Sequence, residues 1–184
     1  MKKVNLFIFV LFNCVFLQFA VAQSSPEVNT PENVLFNELV GQLDFVEGRL
    51  ASLAEAVPED KYSWSPAEGV RSVGEIYAHA AGANYFILSF LGGKMPEGFN
   101  PDEKAVIKKD ELIKMLKDSF EYAKNYVPTI KEEDLDKEVE LPFGKFTQRT
   151  VLFILITHGH EHLGQSIAYA RMNGVTPPWS RGEY

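Results

Sequence analysis

Three of the four histidines in this 184-residue chain fall on stretches that read as apolar helix seams, and their spacing suits metal ligation. His158 and His162 stand four apart. On a helix they would lie one above the other, with Cβ atoms about 5–6 Å apart. Two imidazole nitrogens at about 2.0–2.1 Å can then share one divalent ion. His79, at a seam position of a separate helix, can supply a third nitrogen. A buried imidazole without a partner costs about 1–3 kcal/mol, so each histidine must be satisfied by something. Taken singly, each also reads as a core histidine bonded to a backbone carbonyl or a tyrosine. Taken together, with one pair at i, i+4, they point to a metal site. His160 lies about 200° round the helix from each neighbour and is expected to face away.

Two further residues are candidates by position. The string from His158 to His162 satisfies H-x-x-E-H, in which Glu161 would be the general base of an inverted zinc peptidase. Only a short tail follows His162 and the chain is small for that architecture, so the peptidase reading is set aside. Glu161 still adjoins a ligand and is kept as a candidate catalytic base. Gln165, one turn beyond His162, either orients a bound ligand or packs within the core.

The elements that must position these residues read as four amphipathic helices, an all-α four-helix bundle. The first opens at Thr30-Pro31-Glu32, with Thr30 as cap, and carries Leu39, Leu43, Val46, Leu50, Leu53 and Val57 up to Pro58. A link containing Tyr62, Trp64 and Pro66 is expected to pack over one end of the bundle. Ser72 with Glu75 forms a capping box for the second helix, whose seam is Ile76, His79, Ala83, Phe86 and Phe90. The third spans Lys109 to Val127, on Ile113, Leu116, Phe120, Ala123 and Val127. An acidic stretch from Lys131 to Glu140 and a short hairpin over Val139 to Phe146 follow. Thr147 caps the fourth helix, which runs to Asn173 on Val151, Leu155, His158, His162, Gln165 and Tyr169, and stops at Gly174.

Residues 1–22 read as a signal peptide: a Lys2-Lys3 start, an apolar run to Phe19 and a small-x-small site at Ala20-Val21-Ala22. The mature domain is expected over 23–184, exported to the periplasm or beyond, with no stable membrane anchor once the signal is removed. Its one cysteine, Cys14, would leave with the signal, which excludes disulfides, thiolate metal sites and a cysteine nucleophile. Loss of Lys2 and Lys3 takes the formal charge from −7 to −9, and no basic cluster remains. Nucleic-acid binding therefore has no electrostatic basis.

Beyond these readings, His158-x-x-x-His162-Leu163-Gly164-Gln165 resembles the H-x-x-x-H-R-G-Q signature of the DinB-like family of bacterial metal-binding bundles. Tyr62-Ser63-Trp64-Ser65-Pro66, Arg71-Ser72-Val73-Gly74-Glu75 with His79, and Gly174-Val175-Thr176-Pro177-Pro178 resemble other parts of that family in the expected order. The resemblance implies a divalent transition metal, zinc or nickel, on His79, His158 and His162, with coordination positions left open. Leu163 departs from it, standing where the signature has arginine. The expected function is a metal-dependent hydrolase using metal-bound water. Two alternatives stand beside it: a non-catalytic metal or small-ligand binding module, and a thiol-dependent S-transferase. The substrate or ligand is expected to be a small molecule, and a homodimer would follow from an exposed apolar bundle face.

Overall fold

A computed structural model describes residues 34–99 and 108–181. Four long helices carry the fold: α1 (Val34–Ala56), α2 (Val73–Ser89), α3 (Lys109–Tyr126) and α4 (Gln148–Met172). The expected signal peptide and the Thr30 cap lie outside the described residues.

The apolar periodicity is spent on the core as expected. Leu39, Leu43, Val46, Leu50, Leu53 and Val57 are buried along and just beyond α1, as are Ile113, Leu116, Phe120, Ala123 and Val127 along α3. Each fully buried aliphatic side chain of this kind contributes roughly 1.5–3 kcal/mol relative to exposure. α2 departs from the expected seam. Phe86 is 44% exposed and packs edge-on against Phe90 instead of entering the core. A strict alternation of three and four drifts about 20° per heptad on a straight helix. By its last turns α2 therefore buries the adjoining flank, Asn84, Ile87 and Leu88.

α1 and α2 each pack against both α3 and α4. Helices consecutive in sequence, α1 with α2 and α3 with α4, thus lie diagonally across the bundle. This arrangement requires long links at both places. The first, 57–72, is tied down rather than loose. Tyr62 donates its hydroxyl to the Ala54 carbonyl (2.8 Å), and its own carbonyl accepts from the Gly74 amide (2.9 Å). Trp64 meets Tyr169 of α4 edge-on at 5.4 Å, so the link covers one end of the bundle. The second link carries the antiparallel hairpin β1 (Glu138–Leu141) and β2 (Gly144–Thr147), with Glu138 opposite Thr147. The acidic stretch before it is mostly exposed, but Leu135 is inserted into the core.

Candidate metal centre

α2 is fixed at its start by the complete Ser72–Glu75 capping box. The Glu75 amide donates to the Ser72 hydroxyl at 3.3 Å, and the Ser72 amide donates to the Glu75 carboxylate at 2.6 Å. His79 projects from the second turn that follows. α4 starts at Thr147, whose hydroxyl accepts from the Thr150 amide at 3.2 Å. Its later turns bring His158 and His162 to face His79.

The three imidazoles converge through one kind of atom. His79 Nε2 lies 3.1 Å from His158 Nε2, and His158 Nε2 lies 3.1 Å from His162 Nε2. Ring planes are crossed rather than stacked, at 55°, 83° and 70°. His162 is buried and the other two are half-buried. A single imidazole proton at His158 Nε2 cannot serve both contacts at full strength, whereas one cation can receive all three lone pairs. At metal–nitrogen distances of about 2.0–2.1 Å, ligand nitrogens stand about 3.0 Å apart at right angles and about 3.4 Å apart at tetrahedral angles. The observed 3.1 Å falls between them. The donor set therefore fits a divalent transition metal.

The surroundings favour neutral imidazole at His162. Its pKa is lowered from the ordinary 6.5, first by burial, then by the charges of His79 and Arg71; a hydrogen bond to Gln165 and the charge of Glu161 oppose this. His162 Nδ1 lies 3.0 Å from Gln165 Oε1, and Gln165 Nε2 donates to the Tyr169 hydroxyl at 3.3 Å. Tyr169 is buried, and its ring is the one met by Trp64.

Among the described residues the convergent group consists of histidines alone. Glu161 is exposed, and it reaches the centre through its charge on His162. His160 points the other way, as its angle on the helix requires. It meets Gln42 of α1 at 3.0 Å and stacks with Phe45 at 6.0 Å. Leu163, where the family signature has arginine, is a buried core residue. Sequence reasoning missed Arg71 as a charge acting on His162, and Tyr169 and Trp64 as supports of Gln165. The i, i+4 step from Gln165 to Tyr169 was the available signal. For Trp64 the signal was its place in a link expected to cover one end of the bundle, and for Arg71 it was only its place in the family resemblance.

Comparison with known proteins agrees with this fold. YjoA of Bacillus subtilis, an uncharacterised protein, is 28% identical over 127 residues, covering 67% of this chain and 81% of YjoA. The crystal structure of YjoA, a DinB-like protein, superposes with a TM-score of 0.61 at 24% identity, over 76% of this chain and 94% of that one. A DinB-like protein of Bacillus cereus gives a TM-score of 0.68 at 19% identity, over 77% and 95%. YfiT of Bacillus subtilis, described as a probable metal-dependent hydrolase with an unusual four-helix bundle topology, gives 0.63 at 13% identity, over 85% and 97%. The family model of the DinB superfamily matches residues 42–166, which run from within α1 through most of α4 and include all three convergent histidines. With its four-helix bundle and its three-histidine group, the chain belongs to the DinB superfamily.

Proposed function

We propose that this chain is an exported, metal-dependent hydrolase of a small-molecule substrate, with His79, His158 and His162 as ligands to one zinc or nickel ion. The observation that carries the reading is the meeting of three Nε2 atoms, in a convergent group made up of histidines alone among the described residues. Such a set leaves positions for water and substrate, the arrangement of catalytic rather than structural sites. A divalent ion held by His79, His158 and His162 would supply Lewis acidity and make a bound water more acidic. The chain's own residues do the rest. α2 and α4 hold the three rings from opposite sides, and the buried side of His162 faces the core. Glu161 adjoins His162 in sequence and is exposed, and it is the candidate proton acceptor to test. The description of YfiT as a probable metal-dependent hydrolase supports the reading by likeness of fold.

The test is metal content of residues 23–184, purified without chelator beside His162→Ala, followed by a screen of ester, amide and phosphoester substrates. About one transition metal per chain is expected, lost in the variant, together with metal-dependent turnover of one substrate class. Glu161→Gln is expected to keep the metal and lose most of the turnover, by about 100-fold or more. Metal without turnover in any class would replace the hydrolase by a non-catalytic binding module. No metal after incubation with zinc, nickel and manganese would remove both.

A further inference from the structure

The hydrogen bonds behind His162 decide where its proton sits. A glutamine carbonyl oxygen can only accept. With Gln165 Oε1 as its partner at 3.0 Å, His162 Nδ1 pairs as the donor, that is, as the protonated ring nitrogen. A neutral imidazole carries one N–H, so Nε2 keeps its lone pair, and Nε2 is the atom aimed at His158. The other end of the same amide is also engaged. Gln165 Nε2 donates to the Tyr169 hydroxyl at 3.3 Å, and the Tyr169 ring is held edge-on by Trp64 at 5.4 Å and 87°. Were the amide turned end for end, its NH2 would donate to Nδ1 and push the imidazole proton onto Nε2, into the space where the three nitrogens meet.

We propose that Gln165, held by Tyr169, is a positioning residue that selects the Nδ1–H tautomer of His162 and so keeps Nε2 open as a metal ligand. The inference rests on the metal-centre reading for its purpose, but its structural content is independent of it. The network crosses the bundle end, from the 57–72 link through Trp64 and Tyr169 to Gln165 and His162. The link is thereby part of the centre's support and not only a cover. Partners of this kind, bonded to the far nitrogen of a ligating histidine, typically change metal affinity by about 10–100-fold when removed.

The test uses the chain from residue 23, wild type and three variants: Gln165→Leu, Gln165→Glu and Tyr169→Phe. The tautomer of His162 is read by nitrogen-15 NMR of the metal-free protein at about pH 8, where imidazoles are neutral. Zinc affinity is read by competition with a chelating dye. The wild type is expected to show the proton on Nδ1. Gln165→Leu, close in size and without an acceptor, is expected to move a large share of it to Nε2 and to weaken zinc by about 10–100-fold. Gln165→Glu keeps an acceptor-only oxygen and is expected to retain both the tautomer and zinc binding at least as tight as wild type. Tyr169→Phe is expected to shift both readouts in the direction of Gln165→Leu, by less. A proton on Nε2 in the wild type, or an unchanged tautomer with unchanged affinity in Gln165→Leu, would overturn the inference. Absence of zinc binding by the wild type would defeat the metal-centre reading alone, since the tautomer would still show whether Gln165 places the proton.

Discussion

Burial at His162 has a consequence for stability as well as for ligation. The folded pKa lies below the ordinary 6.5, with desolvation as its largest cause. The unfolded chain therefore binds the proton more readily over that interval. The contribution of this residue is complete above pH 6.5 and is lost as the pH falls through the folded value. Thermal unfolding of the metal-free protein should accordingly drop more steeply below pH 6.5 in the wild type than in His162→Gln. Parallel curves for the two would contradict it. The same neutral imidazole is the form that can donate to a metal, so rising pH favours ligation and stability in the same direction. On the proposed metal-centre reading His162→Ala removes one of three ligands, and zinc affinity is expected to fall by at least about 100-fold, beyond the range usual for outer-shell partners.

Within α2 and α4, local interactions set the position of the rings before tertiary packing acts on them. The Ser72–Glu75 capping box starts α2 just ahead of His79. Ser72→Ala is expected to cost about 1 kcal/mol, read as a lower denaturant midpoint at unchanged m-value. Two glycines of α4 separate helix propensity from packing. A Cβ at Gly164 would meet no atom within 4 Å, so Gly164→Ala should stabilise by about 1 kcal/mol through propensity alone. At Gly159 a Cβ would stand 3.2 Å from Val46 Cγ1, a side chain of α1 that is only 1% exposed. Overpacking costs about 1–3 kcal/mol and outweighs the same propensity gain. Gly159→Ala should therefore destabilise by up to about 2 kcal/mol while Gly164→Ala stabilises. Equal effects at the two positions would mean that α1 and α4 are not packed as closely as this.

At the scale of the molecule, the diagonal placement of α1 against α2 and of α3 against α4 makes the two long links structural parts. The first carries Tyr62 and Trp64 across the end of the bundle, and Tyr62 binds it back to α1. No helix among the described residues is long and apolar enough to cross a membrane. The chain's one cysteine is Cys14, so the domain relies on its apolar core, and its unfolding temperature should be the same with and without reductant. Export is a proposal that rests on residues 1–22. It predicts that protein recovered outside the cytoplasm begins at Gln23, as N-terminal sequencing or intact mass would read. A product beginning at Met1 would count against cleavage.

The sequence by itself determined what depends on neighbours a few residues away. The apolar stripes of α1 and α3, the capping box at Ser72, the Thr147 cap and the stop at Gly174 were all legible, because each is a matter of helix periodicity or local hydrogen bonding. So was the pairing of His158 with His162 at one helical turn. Only the tertiary structure decided how each helix is rotated and which helices touch. It left Phe86 exposed, set His160 against Gln42 and gave Gln165 a partner at each end of its amide. It also brought His79 to His158 across 79 positions of sequence. A stripe of apolar residues states that a face is buried, not what it is buried against. That choice is made by complementary packing of all four helices at once, and the chemistry of the centre follows from it.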